Sequence, residues 1–104
     1  MDRYIIISTT FNNEEEMNRI MNMLLEQHLI SCYQVMNINS SYHWKGKIEN
    51  EKEYLVNMKT KMNLYKEIEN IIIVNHSYEV PQIICYDIIC GNNKYLKWIN
   101  SETK

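Results

Sequence analysis

The sequence predicts an α+β fold, a ferredoxin-like βαββαβ sandwich followed by a C-terminal helix. Segments with apolar residues at intervals of two alternate with segments of helical spacing, in the order strand, helix, strand, strand, helix, strand, helix. Only two glycines and one proline occur, which is typical of long elements joined by few loops. The length of 104 residues predicts a single domain over residues 1–104.

The first strand is predicted over residues 3–9, where the run Tyr4-Ile5-Ile6-Ile7 is typical of the centre of a sheet. A helix is predicted to follow, because Asn12 and Asn13 each precede a glutamate by three residues, the spacing of a capping box. Its residues at steps of three and four predict one buried face, formed by Met17, Ile20, Met21, Leu24, Leu25 and His28.

Two long extended segments, residues 30–44 and 47–60, are predicted to form a hairpin that reverses at Lys45-Gly46. Both arms alternate with period two, through Tyr42 and Trp44 in the first and through Val56 and Met58 in the second. Strands usually run about five or six residues. A hairpin of this length would extend beyond the core of a small domain, and its free edges would need partners.

The second half of the chain predicts a helix, a strand and a last helix. Asn63 is expected to cap the second helix, whose end near residues 73–75 is ambiguous between helix and strand. A third long strand is predicted over residues 82–89, and the last helix over residues 94–101. That helix is expected to bury Trp98 and Ile99, with Tyr95 or Leu96.

Connection rules predict which face of the sheet is covered. Right-handed crossovers would place both main helices on one face. The strands are too apolar for the other face to remain in water, since large exposed apolar patches usually mark interfaces.

Composition limits the classes of function. The net charge is −2 without a basic block, which argues against a nucleic-acid surface. No apolar run of membrane-spanning length and no signal peptide is visible, so the expected location is cytoplasmic, with a removed targeting segment left open. The odd count of three cysteines favours free thiols in a reducing compartment. Cys85 and Cys90 are expected in the core, as is Cys32, for which a metal-binding or redox thiol is the alternative.

Several motifs, in order along the chain, resemble those of the CutA family of divalent-cation tolerance proteins. The most specific is Tyr42-His43-Trp44-Lys45-Gly46-Lys47-Ile48-Glu49 with Glu53 and Lys59-Thr60 after it. His76-Ser77-Tyr78-Glu79-Val80-Pro81 resembles the family's His-x-Tyr-x-x-Pro motif. The segments 29–32 and 95–99 resemble its entry to the second strand and its terminal helix. Together these motifs span essentially the whole chain.

The resemblance implies a homotrimer with inward-facing sheets, similar to PII signalling proteins, and a response to divalent metal ions. Copper-binding members of the family are thought to use a cysteine late in the first strand and two adjacent histidines in the later loop. The matching residues here are Ser8, Asn75 and His76. Only His76 is a strong copper ligand, since copper prefers imidazole and thiolate, so the implied Cu(II) or other divalent-cation site is weak.

A second candidate site is an inter-subunit cleft. Glu53 and Lys59 are an even number of residues apart and therefore face the same way on one strand. With residues of the two motifs they are predicted to line the cleft: Tyr42, Trp44, Glu53, Lys59, Tyr78 and Glu79. The alternative is a structural ion pair with aromatic packing at the trimer interface. The family's usual acid after the loop proline is replaced here by Gln82.

The sequence contains no nucleophile–base–acid set and no glycine-rich phosphate loop, so an enzyme is not expected. The leading hypothesis is a trimeric divalent-cation tolerance protein. One alternative is a PII-like sensor that binds a small anionic or nucleotide-like ligand between subunits near Lys59 and Tyr78. Another is a non-catalytic trimer that anchors a protein partner, whose identity the sequence leaves unknown.

Overall fold

The computed structural model describes residues 3–104. Its strands and helices are β1 (Tyr4–Phe11), α1 (Glu14–Glu26), β2 (Cys32–Trp44), β3 (Lys47–Lys61), α2 (Tyr65–Asn75), β4 (Ile83–Asp87) and α3 (Asn93–Glu102), and a 3₁₀ turn at Met62–Leu64 precedes α2. This order of elements confirms the order predicted from periodicity. Within residues 3–104, no helix has both the length and the apolar composition needed to cross a bilayer.

The four strands form one antiparallel sheet in the order β2-β3-β1-β4. The hairpin pairs without interruption from Cys32 opposite Lys59 to Trp44 opposite Lys47. At its turn, Lys45 and Gly46 have φ of 49° and 80°, and positive φ at both positions matches the twist of the flanking strands. Because β1 pairs only with residues 54–61 of β3, the tip of the hairpin extends beyond the rest of the sheet.

One face of the sheet carries the core. Alternate residues of β1 and β3, including Ile7 and Met58, are fully buried with apolar residues of α1 and α2 such as Ile20 and Ile68. The burial of both helices against the same strands follows from their helical spacing of apolar residues. On the opposite face the strand register aligns Met36, Ile84 and Tyr86, which are 50%, 42% and 54% exposed.

The structure selects one of the two predicted caps of α1 and shortens its predicted buried face. Asn13 is the cap, and its side chain accepts a 2.9 Å hydrogen bond from the Glu16 amide. At the other end, the helix stops at Glu26 and His28 adopts a positive φ of 57°. The predicted burial of His28 is therefore wrong, because its side chain leaves the helical register and is exposed.

Three further predictions are wrong in detail. Asn63 does not cap α2, because it lies inside the 3₁₀ turn and the cap residue is Leu64. The last strand has five residues, because its neighbour β1 begins at Tyr4 and the Ile88 amide already reaches the Tyr4 carbonyl. In α3, Ile99 is buried but Trp98 is 39% exposed, since it stacks on Tyr95 on the outer side.

The cysteines are all free thiols, as predicted, but none of them belongs to the core cluster, so the predicted core positions are wrong. Cys32 is half-buried, whereas Cys85 and Cys90 are exposed. Cys85 lies on the short edge strand, and Cys90 lies in the loop that follows it. Few elements surround these two positions, which explains their exposure.

Candidate functional site

A cleft of about 470 Å³ lies where the hairpin tip meets the end of β1 and the loop from α2 to β4. Ile38 is paired with Glu53 across the hairpin, so the two side chains lie on the same face of the sheet. Tyr42 and Trp44 are an even number of residues from Ile38 along β2, and therefore lie on that face too. The loop adds Tyr78 and Glu79. Five of the six residues predicted to line a cleft are thus together within one chain.

The centre of this cleft is a hydrogen bond between the hairpin and the loop. The Tyr78 hydroxyl donates to Glu53 Oε2 at 2.7 Å. Glu53 is only 7% exposed, although it is a carboxylate on a strand. Burial, and then the hydrogen bond to the Glu53 carboxylate, raises the pKa of Tyr78 above its ordinary value. The phenol therefore remains a hydrogen-bond donor throughout the physiological range.

His76 holds the loop that carries Tyr78 in place beside the cleft. Its ring stacks on Phe11, with the centroids 4.5 Å apart and the planes 7° from parallel. Nε2 donates to the Thr10 carbonyl at 2.7 Å, and Nδ1 accepts from the Tyr78 amide at 3.0 Å. These partners fix the Nε2–H tautomer, because a carbonyl only accepts and an amide only donates. As arranged, His76 offers no free lone pair to a metal ion.

The rim of the cleft contains the hairpin turn. The Lys45 ammonium lies 5.5 Å from the centroid of the Trp44 ring and 3.9 Å from Glu79 Oε2. Nearby, the Tyr42 hydroxyl donates to the Glu51 carboxylate. Both side chains of the ion pair between Lys45 and Glu79 are more than two-thirds exposed, so this pair contributes little to stability.

Lys59, the sixth predicted residue, is not in this cleft. It faces the same way as Glu53, but it lies six residues further along β3, which corresponds to about 20 Å at the usual rise per residue. Its ammonium donates to the Gln34 side chain instead. Within one chain, Lys59 and Tyr78 are therefore far apart. The anionic-ligand hypothesis places its ligand between subunits, so it stays a prediction.

The lining of the cleft is acidic. It includes the carboxylates of Glu51, Glu53 and Glu79 but no lysine or arginine. Across residues 3–104, no three His, Cys, Asp or Glu side chains converge closely enough to hold a metal ion. Thus the cleft attracts cations, yet a single chain supplies no preformed metal centre there.

The sequence did not identify several residues that line the cleft. Gln82, already noted at the position of the family's usual acid, is among the lining residues. Glu51 could have been predicted from strand alternation, since it lies two residues before Glu53 and hence on the same face of β3. Thr10, Asn12 and His43 carried no comparable signal. Thr10 and Asn12 reach the cleft only because β1 ends beside β3, a tertiary arrangement that local periodicity does not encode.

Known proteins match this chain over nearly its whole length. The family model described as CutA1 divalent ion tolerance protein matches residues 5–102. The divalent-cation tolerance protein CutA of Pyrococcus horikoshii is 39% identical over 96% of this chain and 98% of its own length. The chloroplastic protein CutA of Arabidopsis thaliana is 31% identical over 96% of this chain, which spans only 56% of that relative.

Solved structures agree with these sequence matches. The structure of the periplasmic divalent cation tolerance protein CutA from Archaeoglobus fulgidus superposes with a TM-score of 0.94 at 32% identity, covering 97% of this chain and 99% of that one. The agreement includes the four-stranded antiparallel sheet and the helices described above. This chain therefore belongs to the CutA1 divalent ion tolerance protein family.

Proposed function

We propose that this protein acts in the response to divalent cations as a homotrimer of ferredoxin-like subunits, each a single CutA-like domain over residues 1–104, and that it is not an enzyme. The observation that supports the trimer is the open face of the sheet. Met36, Ile84 and Tyr86 leave apolar surface exposed on the face opposite α1 and α2, which α3 meets at Cys32 and Lys61. Closed symmetry would bury three copies of this face together.

Direct copper binding is the most specific form of this proposal, with His76 as the ligand. A copper ion at Nδ1 would have to displace the Tyr78 amide, and one at Nε2 would have to displace the Thr10 carbonyl. Either exchange leaves a buried backbone group without its partner. The proposed copper contact is therefore weak, and it requires local opening of the loop that carries Tyr78.

Calorimetric titration of metal-stripped protein with Cu(II) and Zn(II) tests this site. The His76→Gln variant keeps a polar side chain but removes the imidazole, and His43→Gln removes the exposed imidazole on the hairpin. Copper affinity that falls only in His76→Gln supports the site. Affinity that falls only in His43→Gln, or an absence of copper binding in the native protein, overturns it.

The observed surfaces fit one of the two alternative functions better than the other. A trimer that anchors a protein partner uses the same open sheet face as the proposed trimer, so the fold is compatible with it. A sensor of small anions is disfavoured by the acidic lining of the cleft within one chain. It would require a lysine from a neighbouring subunit to complete the site.

The cytoplasmic location stays a prediction. The relatives include a protein named as chloroplastic and a solved structure named as periplasmic. Localisation of the full-length gene product with a C-terminal fluorescent tag would test it. Diffuse cytoplasmic signal is expected, and accumulation in an organelle or outside the inner membrane would contradict the prediction.

A further inference from the structure

The Glu53 carboxylate is largely buried, but it also lines the cleft. It is 7% exposed, and the one side-chain hydrogen bond it receives within residues 3–104 is from Tyr78 to Oε2. A carboxylate accepts about four hydrogen bonds when fully satisfied. Its remaining acceptor capacity lies in the lining of an open cleft. Thr9 Oγ1 is the one buried side-chain polar atom without a partner in residues 3–104, so neither Glu53 oxygen is orphaned. A cationic donor that enters the cleft would replace water there with a charge-assisted hydrogen bond.

The walls of the cleft specify which kind of donor fits. Tyr42, Trp44 and Tyr78 supply aromatic surface, and aromatic faces attract organic ammonium groups. The chain itself provides an example, because the Lys45 ammonium lies over the Trp44 ring and beside the Glu79 carboxylate. An ammonium group is therefore already accommodated at the rim by two of the lining residues.

The spacing of the carboxylates indicates more than one ammonium group. Glu51 and Glu53 alternate on one face of β3, so their Cα atoms are about 7 Å apart at the usual strand rise. Glu79 is contributed by the facing loop. A bare divalent cation matches this arrangement poorly, because aromatic rings offer it no lone pairs and no three ligand side chains converge in the described chain.

We propose that this cleft binds a flexible aliphatic amine carrying two or more ammonium groups. One ammonium contacts Glu53 below the Tyr78 ring, and another contacts Glu51 or Glu79 near Trp44. The Lys45 ammonium competes for the outer position. The amine contacts carboxylates rather than His76, so this proposal does not depend on copper binding. The two sites share the loop that carries Tyr78, because the Tyr78 amide donates to His76 and the Tyr78 hydroxyl donates to Glu53.

Isothermal titration of the full-length, metal-free protein with putrescine and spermidine tests the proposal. N,N′-diacetylputrescine, which has the same carbon chain without charge, is the matched ligand control. Glu53→Gln keeps an acceptor for Tyr78 but removes the buried charge, so it should weaken amine binding by about tenfold or more. Glu26→Gln removes the same charge from the exposed end of α1 and should leave the affinity unchanged.

A second pair of variants tests the competition by Lys45. Lys45→Met should tighten amine binding, because it vacates the outer position. Lys94→Met changes the net charge equally at an exposed position of α3 and should have no such effect. An absence of amine binding at millimolar concentration, equal binding of the diacetyl compound, or equal affinities for Glu53→Gln and Glu26→Gln would each overturn the proposal.

Discussion

The Tyr78 hydroxyl and the Glu53 carboxylate join two parts of the chain that are distant in sequence. Their 2.7 Å hydrogen bond connects the loop after α2 to the overhanging part of β3. The same loop is held from the other side, where the Tyr78 amide donates to His76 Nδ1. Tyr78 thus fixes both the floor of the cleft and the position of the loop that forms one wall.

Removing this hydroxyl should destabilise the protein. Tyr78→Phe leaves the buried Glu53 carboxylate without its donor, which costs about 1–3 kcal/mol in free energy of unfolding. Urea unfolding followed by far-UV circular dichroism measures the change. Tyr42→Phe is the matched control, because Tyr42 also donates to a glutamate but is exposed, and its change should stay within about 0.5 kcal/mol. Equal costs for the two variants would contradict the structural role of the buried pair.

The stability of the protein should fall in alkali partly through Tyr65. Burial, and then the hydrogen bond to the Glu69 carboxylate, raises the pKa of Tyr65 from 10.0 to about 12. The raised pKa means that the folded state holds this proton more tightly, so the contribution to stability is complete below pH 10 and is lost between about pH 10 and 12. Tyr65→Phe should therefore make the unfolding free energy less dependent on pH in that window.

Glu69→Gln provides an independent check of the same cause. It removes the carboxylate that accepts from Tyr65 and should also reduce the alkaline loss of stability, though less completely, because burial remains. Denaturant midpoints measured between pH 8 and 12 give both slopes. An unchanged slope in Tyr65→Phe would show that this tyrosine does not titrate differently in the two states.

At the second position of the hairpin turn, a residue other than glycine should lower the free energy of unfolding. Gly46 has a φ of 80°, where a side chain is strained even though the added Cβ would meet no atom within 4 Å. Gly46→Ala should lower the unfolding free energy by about 1 kcal/mol. Gly91→Ala is the control, because its Cβ would make an ordinary 3.4 Å contact with Leu96. A larger cost at Gly91 than at Gly46, measured by thermal unfolding, would contradict this assignment of strain.

The hairpin and the helices were predictable because their signals are local. Lys45-Gly46 marks the turn, and alternation in the flanking arms gives the faces of both strands. The length of β4 was not predictable in this way, since it depends on where its partner β1 begins. Likewise, helical spacing does not distinguish the buried Ile99 from its neighbour Trp98, which stacks outward on Tyr95.

The candidate site was only partly accessible from sequence. The motif resemblance grouped Tyr78 with Glu53, which lie 25 residues apart and in different elements. Strand parity grouped Lys59 with Glu53, but parity gives the face of a strand and not the position along it. Lys59 therefore lies on the predicted face but about 20 Å from the cleft, by the usual rise per residue.

The trimer is the central claim of this account, and its mass in solution tests it most directly. Light scattering coupled to size exclusion, at micromolar concentration, should give three times the 12.6 kDa mass of one chain. This result follows if the face with Met36, Ile84 and Tyr86 is buried between copies. A mass of one chain at that concentration would contradict the proposed assembly and leave this apolar face without a partner.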